Sequence, residues 1–198
     1  MKYIYMISVV SLSIVMGYLG YNLTNDVDEP KTIISHASWG DEYGSVRDLI
    51  EESDLVVIGE LDQTLGSYLP FENYDLVFTD ASVDVVRVLK GSEVNNVTLS
   101  QYGGERPDGI IEVYDNLPFI EKGKHYLMFL KFINDDTERS GKYQFSRGAQ
   151  GFYELQNYNN LTSNYSTITI SSVFDYGING KVINAGIDNI IKLTAQLN

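Results

Sequence analysis

The sequence predicts a mainly β protein: a small closed or partly open barrel of six or seven strands, with a short N-terminal and a C-terminal helix, preceded by one transmembrane helix. Three observations carry that prediction. Short runs rich in Val, Ile, Tyr and Phe recur between turns bearing Gly, Asn or Ser, at the roughly 8–12-residue spacing of barrels and sandwiches. Residues 3–21 contain no charged side chain. Helical apolar spacing is confined to a few residues after Ser45 and to the stretch 185–197.

The apolar segment comes first. A hydrocarbon core of about 30 Å takes about 20 residues of helix. Tyr3 to Tyr21 supply that length, with tyrosines at both ends for the interfaces. No small-x-small site follows the run, which favours an uncleaved anchor; cleavage would instead yield a secreted chain. Lys2 is the basic flank and Asp26, Asp28 and Glu29 follow, so residues 22–198 are expected outside the cell membrane. The expected organisation is an anchor or signal segment (1–21), an acidic linker (22–44) and an extracytoplasmic barrel domain (45–198).

Along the domain each element has a local reason. Ser45 is placed to cap a short helix carrying Leu49 and Ile50. The β-branched run Leu55–Leu61 reads as a buried strand, followed by a loop with Gly66 and Pro70. From Leu76 to Leu89 the chain is extended, but its apolar residues change phase after Val85, as a bulge or a bent barrel strand would make them do. Val97–Tyr102 alternates, Gly103-Gly104 turns, and Ile110–Tyr114 is a strand ended by Pro118. Tyr126–Phe132, the most apolar stretch after the anchor, is expected to be a central strand buried on both faces. Arg147–Gly151 reads as a hairpin connection between Lys142–Phe145 and Phe152–Leu155, Asn157–Ser166 as an exposed loop, and Ala185–Leu197 as an amphipathic helix.

Composition narrows the chemistry. With 14 basic against 27 acidic side chains and a net charge of −13, the chain lacks the basic stripe that nucleic acid requires. There is no cysteine, hence no disulfide framework and no thiolate chemistry. Its two histidines, His36 and His125, are not accompanied by a Gly-x-Ser-x-Gly element. The acidic pairs Asp41-Glu42, Glu51-Glu52 and Asp135-Asp136 are sequence neighbours, which point to opposite faces of an extended chain and do not make an acid–base dyad. Asn134–Glu138 offers oxygens but not the order of a calcium loop, and a turn explains it. No catalytic residue, metal or cofactor is therefore expected. Candidate binding residues are Tyr102, Gly103, Gly104, Arg106 and Gln150, because glycines admit close approach of a ligand while Tyr and Arg favour contact sites; strand-reversing turns are the plainer explanation.

Three blocks occur together: Asp54-Leu55-Val56-Val57-Ile58-Gly59-Glu60, then Val83 to Gly91, then Gly123-Lys124-His125-Tyr126-Leu127-Met128-Phe129-Leu130. In this the chain resembles the OB-like barrel of netrin-type modules and tissue metalloprotease inhibitors, and it is similar to small exported bacterial proteins of unknown function with the same blocks. The resemblance spans roughly residues 45–155 and implies an OB-like barrel. Those inhibitors act through an N-terminal cysteine and are tied by disulfides, so inhibition does not carry over to a chain with no cysteine. The expected function is a membrane-anchored, extracytoplasmic binding module without catalytic activity, whose partner is an envelope protein or surface ligand. A cell-surface hydrolase using carboxylates and a structural subunit of an envelope complex are the alternatives.

Overall fold

A computed structural model describes residues 31–35, 44–114, 117–158, 168–172 and 179–197. The expected anchor and most of both the expected linker and the Asn157–Ser166 loop lie outside these residues. Among the described residues no helix is long and apolar enough to cross a membrane. The compact unit begins at Thr32.

Its elements are β1 (Thr32–Ser35), α1 (Val46–Glu52), β2 (Leu55–Tyr68), β3 (Phe78–Lys90), β4 (Asn96–Tyr102), β5 (Gly104–Glu105), β6 (Ile111–Tyr114), β7 (His125–Phe132), β8 (Tyr143–Phe145), a 3-10 turn (Gly148–Gly151), β9 (Phe152–Gln156), β10 (Thr169–Ser172) and α2 (Asn179–Leu197). Five of these strands, not six or seven, close a barrel. β2 pairs with β3, β3 with β4, β4 with β8 in parallel, β8 with β7, and β7 back to β2. β9 and β10 extend the sheet beyond β7, while β1, β6 and β5 form a separate three-stranded sheet. The residues expected to be linker thus include a strand, β1, whose parallel partner β6 lies far away in sequence. Four residues carry too short a pattern to be read as a strand without that partner.

Two apolar clusters lie on opposite faces of the same strands. Leu55, Val57, Ala81, Val83, Val97, Leu99, Met128, Leu130, Phe145 and Phe152 fill the barrel interior. Val56, Ile58, Leu127, Phe129, Tyr153 and Leu155 face outward and are covered by Leu49 and Ile50 of α1 and by Val182, Ile187 and Ile190 of α2. Period-2 alternation therefore survives in β2 and β7 with both faces apolar, as expected of strands buried on two sides. α2 begins earlier than the expected Ala185 and breaks its helical geometry at Gly186.

The phase change in β3 is a pair of bulges. Val57 opposes Val88, Ile58 opposes Arg87 and Gly59 opposes Val85, so Val86 is left over; Leu89 is skipped in the same way between Val88 and Lys90. Each extra residue bends the strand, and the two bulged residues, Val86 and Leu89, pack on the helix side while Val85 and Val88 stay against the interior cluster. β2 is longer than the Leu55–Leu61 run, because its hydrogen-bonded hairpin with β3 continues through an exposed polar half to Tyr68 and includes Gly66. At α1, the Asp48 N–H donates to Ser45 Oγ at 3.1 Å, as the cap requires. Lys90 Nζ donates to the carbonyls of Ile50, Glu51 and Ser53, placing a cation on the helix C-terminus.

The expected hairpin at Arg147–Gly151 is not one. β8 and β9 do not pair with each other; both run antiparallel to one side of β7, where Phe145 opposes Leu130 and Phe152 opposes Met128. The Ser146 N–H donates to Phe129 O at 2.8 Å, so Arg147 to Gly151 are inserted into what is otherwise one continuous edge. Phe145 and Phe152 stack at 4.4 Å inside the barrel and close the base of this insertion.

At Gly59 the paired β3 backbone stands close: a Cβ there would stand 2.8 Å from the Asp84 carbonyl oxygen and 2.9 Å from Val83 Cγ1. Gly59→Ala should destabilise the domain by about 1–3 kcal/mol, read from urea unfolding, since neither backbone nor a buried valine can give way cheaply.

Candidate functional site

The outer face of β3 and β4 carries Phe78, Asp80, Ser100 and Tyr102, and the β7–β8 connection lies over it. That connection is closed by the Ile133 N–H to Lys142 O and the Gly141 N–H to Ile133 O, both at 2.9 Å. Asp135 shapes its tip: Oδ1 accepts from the Thr137 N–H at 3.0 Å and from Thr137 Oγ1 at 2.7 Å, and these bonds hold its carboxyl below the usual range. The Asn134–Glu138 run is thus a turn, and among the described residues no three His, Asp or Glu side chains gather as a metal site.

Two cations descend from this connection. Lys142 donates to Asp80 Oδ2 and, at 3.2 Å, to the Tyr68 hydroxyl, which in turn donates to Asp80 Oδ1 at 2.8 Å. Burial pulls the ammonium pKa down, yet the hydrogen bonds to Asp80 and Tyr68 outweigh it and hold it above its ordinary value. Burial raises the Tyr68 phenol. Arg139 is 5% exposed. Its Nε donates to Ser100 Oγ at 3.2 Å and its Nη2 to Gln144 Oε1 at 2.6 Å. Its guanidinium lies 4.0 Å over the Phe78 ring. Among the described residues no carboxylate forms an ion pair with Arg139, so its hydrogen-bond partners are neutral and the ring supplies the rest.

Beside this cluster a groove of about 320 Å³ opens on the outside of the barrel seam, lined by Glu52, Tyr102, Lys131, Gln144, Phe145, Ser146, Arg147 and Gly148. It lies where β4 and β8 part, for they share a single register pair, Leu99 with Tyr143. The volume is at the small end of ligand pockets, which run to roughly 300–1,000 Å³. Lys131 Nζ pairs with Asp54 at 3.2 Å and donates to the Glu52 carbonyl at 3.0 Å. Ser146 Oγ is 2.8 Å from Ser53 Oγ. Gln144 Oε1 accepts from Arg139 Nη2 at 2.6 Å.

The five candidate residues separate. Tyr102 lines the groove, its ring packed against Phe78 at 4.6 Å and Tyr114 at 6.1 Å. Gly103 and Gly104 do permit close approach, but to the chain itself. Thr79 Oγ1 donates to Gly103 O at 2.7 Å and the Glu105 N–H donates to Ser67 Oγ at 3.0 Å. A Cβ on Gly104 would stand 2.1 Å from Thr79 Oγ1. Arg106 faces three carboxylates, Glu112 at 3.4 Å, Asp108 at 3.7 Å and Asp75 at 3.9 Å. Glu112, 6% exposed, also accepts from Ser35 Oγ at 2.7 Å, so Arg106 ties the β5–β6 turn to β1 through it. Gln150 is fully buried in the 3-10 turn, away from solvent. Sequence reasoning passed over Arg139, Lys131 and Gln144; charged or amide residues in or beside strands give no local sign of which of them will share a groove.

Compared with known proteins, the chain matches no family model, and no curated protein or solved structure aligns with it significantly.

Arg106→Ala, which leaves buried Glu112 with only the hydroxyls of Ser35 and Tyr114 and no cation, should lower stability by about 1–3 kcal/mol in urea unfolding. Burial first, and the Glu112 charge second, push Tyr114 up from 10.0 to about 12. The folded state thus keeps a proton that the unfolded chain releases, and the stability this contributes is lost as pH rises from 10.0 towards about 12. Tyr114→Phe should flatten that alkaline limb in unfolding curves taken across the same window.

Proposed function

We propose that the protein is a non-catalytic binding module held at the outer face of a cell membrane by residues 3–21, with its ligand seated in the groove where β4, β7 and β8 meet. One observation carries this reading: the barrel interior is filled with buried apolar side chains, while the polar and cationic groups converge outside it, at the seam. A filled interior leaves the surface as the place for recognition. In ring order the barrel strands run first, second, third, fifth and fourth, with a parallel contact between third and fifth. That order supports the OB-like reading, and the β7–β8 connection beside the groove corresponds to one of the loops through which such barrels bind ligands. The carboxylates a hydrolase would need are instead engaged singly: Asp54 with Lys131, Asp80 with Lys142, Glu112 with Arg106.

A chain of residues 22–198 should be soluble, β-rich by circular dichroism and cooperative in thermal unfolding. It should also co-sediment saturably with cell-envelope material, and Gln144→Glu, which keeps an acceptor for Arg139 but removes the NH2 donors, should weaken that association with no fall in melting temperature. An insoluble or unfolded chain would remove the domain assignment; association that is absent or indifferent to Gln144 would remove the groove as the seat.

A further inference from the structure

Among the described residues six large apolar side chains are exposed, and most of them are gathered in one place. Four, Leu65, Leu69, Tyr74 and Leu76, fall within twelve residues, at the tip of the β2–β3 hairpin and in the loop that closes it. Leu65 is 51% exposed and Tyr74 67%. The loop is mounted on the fold through rings in edge contact: Tyr74 meets Phe71 at 6.3 Å, and Phe71 meets buried Phe78 at 6.0 Å. Single exposed apolar residues are ordinary, whereas a group of them on one element marks a surface for a partner or a membrane.

A fifth exposed residue, Ile34, lies on β1, and β1 is joined to the same loop by a chain of polar contacts. Ser35 Oγ donates to Glu112 at 2.7 Å, Arg106 stands 3.4 Å from Glu112, and the same guanidinium stands 3.9 Å from Asp75. β1 is also where the chain coming from residues 3–21 enters the compact unit. From Tyr21 to Thr32 there are eleven residue steps, which fully extended reach at most about 40 Å. A bilayer that holds residues 3–21 is therefore never farther than that from the β-strand tied to the apolar loop. Docking on a tether is intramolecular, so a loop too weakly apolar to bring a free domain to a membrane suffices in the anchored chain.

We infer that the tip of the β2–β3 hairpin, through Leu65, Leu69, Tyr74 and Leu76, rests in the headgroup layer of the bilayer in which residues 3–21 are anchored. This rests on the membrane part of the reading above and not on the groove. Irregular backbone does not enter hydrocarbon facing lipid, so the contact stays at headgroup level, where tyrosine is favoured. Residues 62–76 include Asp62, Glu72 and Asp75 and no basic side chain, so the surface is a zwitterionic rather than an anionic one. The same three acids disfavour a second copy of the chain, since a two-fold contact would set them against their own copies.

The chain has no cysteine, so a single introduced one carries a label without background. Asn73→Cys, exposed beside Tyr74, and Glu93→Cys, exposed in the connection at the other end of β3, are each labelled with an environment-sensitive nitrobenzoxadiazole dye in the full-length chain. Each is reconstituted into phosphatidylcholine vesicles with and without lipid spin-labelled near the headgroup. Expected is quenching at 73 at least about threefold stronger than at 93. Leu65→Glu with Leu69→Glu should bring quenching at 73 down to the level at 93 in a chain that still unfolds cooperatively, and replacing part of the lipid by phosphatidylglycerol should lower it. Equal quenching at the two positions overturns the inference, as does quenching at 73 that survives both glutamates in a folded chain; if that variant does not fold, the comparison of 73 with 93 decides. Quenching that rises with phosphatidylglycerol overturns the zwitterionic assignment. Self-quenching of the label that grows with the protein-to-lipid ratio, without quenching by lipid, overturns the inference in favour of a second copy. A chain that fails to float with the vesicles removes the anchor and this inference together, whereas one that floats and shows no contrast between the positions removes this inference alone.

Discussion

Everything in the compact unit hangs on β7. Its residues Tyr126 to Leu130 are buried on both faces, alternating between the barrel interior and the layer beneath the two helices. One edge is taken by β2 and the other is shared end to end by β9 and β8. Two consecutive strands can occupy a single edge of a third only if the chain steps out between them. That step is Arg147–Gly151, and it forces the left-handed backbone at Arg147 and Gly148 and buries Ala149 and Gln150. The same constraint leaves β8 three residues long, so its contact with β4 is one pair wide and the seam opens into a groove.

Around that seam, charge is distributed against the average of the chain. Arg139, Lys142 and Arg147 come from the β7–β8 connection and the insertion, and Lys131 from the end of β7. Lys142 is held by Asp80 and Lys131 by Asp54. Arg139 instead pairs with neutral oxygens and aromatic rings, an arrangement in which hydrogen bonds and ring contact stand in for an opposite charge.

The candidate residues show how far local chemistry can be read. Glycines at 103 and 104 were a sound signal of close approach, but what approaches is Thr79 and Ser67, because β5 crosses the end of the β2–β3 hairpin. Arg106 had the right chemistry for a contact site, and it is consumed by Glu112 and two further acids. Gln150 belonged to the correct segment, yet burial removes it, while its neighbour Arg147 faces the groove. In each instance the residue type indicated an interaction correctly and the partner was decided by strands distant in sequence.

By itself the sequence determined the elements whose cause is local. The Ser45 cap, the two-faced apolar run of β7, the bulged phase change after Val85 and the amphipathic terminal helix are all properties of a few adjacent residues, and backbone geometry converts such patterns directly into structure. Only the tertiary structure decided that five strands close the ring, that Thr32–Ser35 joins β6, that β8 and β9 share an edge rather than form a hairpin, and that Tyr102, Gln144 and Arg147 meet at one groove. Those outcomes depend on pairings between segments far apart in the chain, whose free energy comes from mutual burial and ladder hydrogen bonds, and no single segment carries that information.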